Sequence, residues 1–144
     1  MAPMPARTEL REKDENQQQQ NKGKRKAAKL SRLYKPQNMS LEDWQVELRR
    51  QFGRDQSFSL KNLGAHPVFS EFEVTNPVNK NRYRVAIRGP GLGDNFCSCP
   101  DFATNALGTC KHVEFTLAYL ERKRGGKTAL RLNLLMFAWR TQQV

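Results

Sequence analysis

The sequence contains little cysteine, few acidic residues and no long apolar run. Its 144 residues include 3 cysteines, an odd number that leaves one thiol unpaired in any set of disulfides. There are 14 acidic residues against 25 basic ones, and the resulting formal net charge of +11 favours polyanionic partners such as nucleic acid or an anionic membrane surface. Only 38% of the residues are hydrophobic and the mean hydropathy is -0.79, so we expect the ordered part to be smaller than the chain.

Signals for membranes and for nucleotide-driven motors are also missing. Residues 1–20 contain no apolar core of signal-peptide length. The apolar run from Leu130 to Trp139 is shorter than the roughly 20 residues of a membrane span. No GxxxxGK[ST] motif is present to hold nucleotide phosphates. We therefore expect a cytoplasmic protein, nucleoid-associated in a bacterium or nuclear in a eukaryote, with no membrane partner, no small-molecule substrate and no motor activity of its own.

All three cysteines lie in one stretch, together with one of the two histidines. Cys97 and Cys99 are one residue apart, ten residues follow, and Cys110 and His112 are again one residue apart. Four Cys or His donors complete a closed structural zinc site, and Cys3His is a standard set. Residues i and i+2 of a strand point to the same face, so the first pair can converge on one ion. The sequence predicts a Zn²⁺ site with these four ligands.

A helix is predicted to start at the second pair of ligands. Val113, Leu117 and Leu120 are spaced by four and three residues, basic residues fill the last turn, and Gly125 follows as a stop. Such a helix directs its N-terminal N–H groups towards the ligands and favours the thiolate of Cys110. Two side chains of the spacer have expected roles: Phe102 covers the metal, and Asp101 is a hydrogen-bond partner of His112.

The motifs CSCPDF and GTCKH, followed by the apolar helix, resemble the SWIM-type zinc finger over Phe69 to Lys127. The residues of these motifs are most similar to those of the version found in bacterial helicase-like ATPases of the Swi/Snf class. Related fingers also occur beside Mutator-type transposases. The resemblance implies a zinc-bound ββα unit, with Cys97, Cys99, Cys110 and His112 as ligands and a role in binding DNA or protein. It implies no chemistry at the zinc.

The whole chain is predicted to be α+β: a small zinc-stabilised antiparallel sheet plus a helix, preceded by another helix and a disordered basic arm. Ser40 begins the first helix as N-cap. Two strands are expected within 68–88, where Tyr83, Val85 and Ile87 alternate with arginines, and a third at Phe96. The predicted divisions are 1–39 (basic arm), 40–67 (helix and linker), 68–127 (SWIM-type zinc finger) and 128–144 (short apolar tail).

Basic residues around the finger are the candidates for binding phosphate backbones, and such contacts are largely independent of base sequence. The candidates are Arg82, Arg84, Arg88, Lys111, Arg122, Lys123 and Arg124, with Lys24, Arg25 and Lys26 of the arm. Nucleic acid, DNA in particular, is the expected partner. The alternative is a protein-interaction module that docks on a Swi/Snf-type ATPase or a chromatin-type partner. Catalysis is not expected, because thiolates in a closed zinc shell are poor nucleophiles and no orienting third residue is evident.

Overall fold

The computed structural model describes residues 28–132. Its first helix, α1, spans Leu41–Arg54. Ser40 caps it as predicted: its hydroxyl oxygen accepts a hydrogen bond of 3.1 Å from the backbone N–H of Asp43. The helix buries one side chain, Val46, and brings the backbone of Gly53 against another helix. The N-cap and the apolar stripe thus place α1 where the sequence predicts it.

Residues 28–35 lie in the arm predicted to be disordered over 1–39, but they pack against α1 in a defined conformation. The side-chain amide of Gln51 forms two hydrogen bonds with the backbone of Leu30. Its oxygen accepts from the N–H at 2.7 Å, and its nitrogen donates to the carbonyl at 3.3 Å. The indole N–H of Trp44 donates to the carbonyl of Ser31 at 3.1 Å. Both α1 side chains bind backbone groups, so they hold this segment whatever its side chains are.

Four antiparallel strands form one sheet in the order β1-β2-β3-β4. The strands are Ser59–Asn62 (β1), Glu71–Thr75 (β2), Arg82–Ala86 (β3) and Phe96–Cys97 (β4). In the central pair, Phe72 lies opposite Val85 and Val74 opposite Tyr83. The α+β fold with an antiparallel sheet is confirmed. β1 is an addition, because residues 54–67 were predicted as a linker.

Two helices follow β4: Pro100–Thr104 (α2) and Lys111–Arg122 (α3). The apolar residues of α3 pack against the inner face of the sheet in one core. Its most buried side chains include Phe72, Val74, Val85, Ile87, Val113 and Leu120. Residues 126–132 are helical, and Leu130 of that segment is only 3% exposed and joins the core. The predicted boundary at residue 127 therefore divides residues that pack together.

Among residues 28–132, no helix combines the length and the apolar character needed to cross a membrane.

Candidate metal centre

Three short elements place the four predicted ligands. Cys97 ends β4, and Cys99 is the N-cap of α2. Cys110 is the N-cap of α3, and His112 lies in the first turn of that helix. Strand end and helix starts are positions where the backbone changes direction, so side chains from all three can point inward at one place.

The four ligand atoms all lie within 4.8 Å of one another, and all four residues are buried. Nδ1 of His112 is 3.8 Å from Sγ of Cys97 and 3.9 Å from Sγ of Cys110. A tetrahedral zinc ion with bonds of about 2.3 Å to sulfur and about 2.0 Å to nitrogen would hold such pairs roughly 3.5 Å apart. The observed distances are within a few tenths of an ångström of that value. The cluster is therefore sized and composed for a metal ion.

The charges of the cluster also favour a cation. Hydrogen bonds from Cys110 and then from Cys97 lower the pKa of the Cys99 thiol, whereas hydrogen bonding to Cys97 and Cys99, with burial, raises the pKa of Cys110. The thiols thus compete for ionisation, because neighbouring thiolates in a buried place repel one another. A bound Zn²⁺ would ease this conflict, because its two positive charges offset two of the three thiolate charges.

Helix and turn backbone groups support the sulfurs. The backbone N–H of Phe102 donates to Sγ of Cys99 at 3.4 Å, and the backbone amide of Val113 lowers the pKa of Cys110. These are the N–H groups in the first turns of α2 and α3, which have no partner inside their own helices. The prediction that the start of α3 favours the thiolate of Cys110 agrees only with the direction of the Val113 contribution, because the neighbouring cysteines and burial raise the pKa of that thiol overall.

Aromatic rings cover the histidine. The ring of Tyr83 is centred 4.6 Å from that of His112, and the ring of Phe58 is centred 5.4 Å from it. Phe102, predicted to cover the metal, packs against the core that includes the three cysteines, and its ring meets Phe96 edge-on at 5.7 Å. The alternation of β3 predicts Tyr83 on the buried face of its strand, but no sequence pattern marks Phe58, which precedes a strand that was not predicted.

The predicted bond between Asp101 and His112 is wrong. Both oxygens of the Asp101 carboxylate accept from the guanidinium of Arg49 in α1, at 2.8 and 3.0 Å. This bidentate hydrogen bond lowers the pKa of Asp101 and raises that of Arg49. A carboxylate two residues after a ligand thus ties the metal-binding turn to the first helix.

α1 also packs closely on the helix that carries His112. A Cβ atom at Gly53 would lie 2.7 Å from the carbonyl oxygen of Lys111 and 2.9 Å from the amide nitrogen of Phe115. Beside this contact, Glu114 is buried, and its carboxylate accepts from the hydroxyl of Thr109 at 2.7 Å. Burial raises the pKa of Glu114. Glycine is therefore required at position 53 for the two helices to approach.

The predicted nucleic-acid residues occupy several surfaces. On the sheet, Arg82 pairs with Glu73 at 3.9 Å and Arg84 with Glu71 at 3.6 Å, and Arg88 is exposed just beyond β3. These pairs cross from β3 to β2, so carboxylates accompany the arginine row. Lys24, Arg25 and Lys26 lie outside the described residues.

The other candidates lie at the two ends of α3. At its start, the ammonium of Lys111 is 5.5 Å from the ring centre of Phe52. At its end, Nε of Arg122 donates to the carbonyl of Ala118, and the ammonium of Lys123 is 4.8 Å from the ring centre of Tyr119. Arg124 is exposed after the helix. The structure thus groups Arg122, Lys123 and Arg124 at one end and Lys111 at the other.

Comparisons with known proteins found no match to this chain among family models, curated proteins or solved structures.

Proposed function

We propose that the chain is a zinc-binding module of the SWIM type that binds nucleic acid, DNA in particular. The buried Cys3His cluster carries the zinc part of the proposal, because three soft thiolates and one imidazole suit Zn²⁺ better than the oxygen-preferring divalent ions. Four protein ligands leave no open coordination position. Zinc would therefore stabilise the fold, with no catalytic role.

Charge supports the nucleic-acid part. The net charge of +11 attracts polyanions, and basic side chains are exposed on several surfaces of the fold. Bound to phosphates, they would release condensed counterions from DNA, so affinity would fall as salt rises. The resemblance of CSCPDF and GTCKH to the fingers of Swi/Snf-class ATPases supports a place as part of, or accessory to, such a helicase-like motor.

The test measures zinc content and DNA affinity on the same full-length protein. We expect one zinc per chain, and a dissociation constant for a fluorescent duplex that rises at least tenfold between about 50 and 200 mM salt, as several phosphate contacts require. An affinity that does not change over this range would contradict electrostatic binding. A zinc content near zero in protein purified without chelators would contradict the metal assignment.

Exposed apolar side chains favour a second function, docking on a protein partner such as a Swi/Snf-type ATPase. Leu33 is 82% and Tyr34 is 77% exposed, in the segment held against α1, and Leu41 at the start of α1 is 55% exposed. Large exposed apolar groups in one region are typical of interaction surfaces. Co-purification of such an ATPase that survives nuclease treatment and is lost in Leu33→Ser/Tyr34→Ser would support docking, and equal recovery with this variant would contradict it.

A further inference from the structure

A groove lies between α1 and the start of α3, beside the Cys3His cluster. It has a cavity volume of about 370 Å³ and is lined by Arg32, Leu48, Arg49, Phe52, Asp101 and Lys111. Three of the lining residues are basic and one is acidic, so the groove is positively charged. Arg32 belongs to the basic arm that the sequence marked for nucleic acid, whereas Arg49 was not among the marked residues.

An aromatic ring holds two of these cations in place. The guanidinium carbon of Arg32 is 5.2 Å from the ring centre of Phe52, and the ammonium of Lys111 is 5.5 Å from the same point. The two charges are therefore no farther apart than the sum of those distances. At about 3.4 Å of rise per phosphate of a strand, roughly three successive nucleotides cover such a span. Cation–π contacts also limit the rotamers of both side chains, which reduces the entropy lost on binding.

The acidic residue of the groove is already neutralised. Asp101 is bound through both carboxylate oxygens by Arg49, so it does not oppose an incoming anion as a solitary carboxylate would. In contrast, Arg82 and Arg84 of the sheet each face a glutamate of the neighbouring strand. A phosphate that approaches those arginines meets the carboxylates as well.

We propose that this groove is the main binding site for the nucleic-acid backbone, with Arg32 and Lys111 each binding a phosphate. The inference rests on the proposed function and deepens it by naming the surface. A nucleic-acid strand carries a phosphate and a planar base in every residue, which suits cations placed around an aromatic ring. An acidic peptide would meet the same charges but offers no base or sugar to the ring of Phe52.

The test compares Arg32→Gln and Lys111→Gln with a matched pair from the sheet, Arg82→Gln and Arg84→Gln, in the zinc-loaded full-length protein. All four changes remove one positive charge. We expect each groove variant to weaken binding of a fluorescent single-stranded or duplex oligonucleotide about fivefold and to reduce the slope of log affinity against log salt by about one. The double groove variant should weaken it about 25-fold if the two contributions add. The sheet variants should stay within about twofold of wild type.

Lys111 lies between two metal ligands, so zinc content and thermal melting are measured for every variant, and Arg32→Gln, remote from the ligands in sequence, provides the decisive comparison. Wild-type protein that binds no oligonucleotide would overturn the proposed function and the groove together. Wild-type binding that Arg32→Gln leaves unchanged would overturn the groove alone. Poly-glutamate that competes as well per charge as the oligonucleotide, with the same dependence on Arg32, would replace nucleic acid by an acidic protein as the ligand.

Discussion

The two histidines of the chain lie in opposite environments. His112 is 4% exposed, with its Nδ1 facing two cysteine sulfurs. His66 is exposed, and its Nδ1 accepts from the backbone N–H groups of Val68 and Phe69 at 3.1 and 2.9 Å. One ring can serve as a metal ligand, and the other organises a turn before β2.

Replacing each histidine by alanine separates these roles. His66→Ala should keep one zinc per chain and lose less than about 1.5 kcal/mol of unfolding free energy, because the change frees one exposed and one part-buried N–H group and removes no residue of the core. His112→Ala should lose zinc to a competing chelator and melt without a cooperative transition, since three ligands remain for a tetrahedral ion.

Zinc content and urea unfolding of the two variants check this prediction. Ala103→Ser, an exposed change on α2 between the ligand pairs, is the control and should behave as wild type. The ligand assignment is wrong if His112→Ala retains both zinc and a cooperative transition.

Residues close in sequence were predictable, and residues brought together from far apart were not. The two ligand pairs lie within one short stretch, so their spacing sufficed to group them. Asp101 finds its partner in Arg49, 52 residues earlier. No local sequence pattern indicates a hydrogen bond between residues so far apart. The sequence therefore suggested the nearby His112 as the partner of Asp101. The ligands' grouping was thus readable from sequence, while the support around them was not.

At the scale of elements, α1 and α3 meet through a glycine. In an exposed helix, Gly→Ala stabilises a protein by about 1 kcal/mol because alanine has the higher helix propensity. At position 53 the added methyl group would meet backbone atoms of α3 at under 3 Å. Backbone atoms cannot rotate away as a flexible side chain can, so the helices must separate.

We therefore expect Gly53→Ala to destabilise the fold by about 1 to 3 kcal/mol, the usual cost of overpacking. Urea unfolding of the zinc-loaded protein measures the change. Glu42→Ala, at an exposed position of the same helix, is the control and should lie within about 0.5 kcal/mol of wild type. A more stable Gly53→Ala protein would mean that α1 does not pack on α3 as described.

The strand β1 shows what an element needs to be visible in a sequence. Its four residues read SLKN, and of these only Leu60 is partly buried. β3 alternates apolar and basic residues and was predicted, because one face enters the core and the other faces solvent. β1 lies at the sheet edge and takes its conformation from pairing with β2. Edge strands of this kind are set by tertiary pairing rather than by an apolar repeat.

For the molecule as a whole, the Cys3His cluster lies at the junction of β4, α2 and α3, and its cysteines are part of the hydrophobic core. We expect chelation of zinc to abolish the cooperative melt of the entire fold rather than of one part. Structural zinc contributes about 10 to 16 kcal/mol in finger peptides, more than a domain of this size usually has in net stability.

Circular dichroism during heating, with and without chelator, measures this effect. Adding back excess Zn²⁺ should restore the transition, whereas Mg²⁺, which prefers oxygen ligands, should not. A transition with unchanged midpoint and amplitude after complete zinc removal would contradict the prediction.

The contact between Arg49 and Asp101 has a consequence for the order of folding. Cys97 and His112 are 15 residues apart, whereas Arg49 and Asp101 are 52 apart. Closing the longer loop costs about 1 kcal/mol more chain entropy, because that cost rises with the logarithm of loop length. The segment that carries the four ligands, residues 97–112, can thus fold early. Helix α1 then docks on this segment after it has formed. Helix α1 would accordingly be the last element to dock and the first to detach, carrying the basic segment before it.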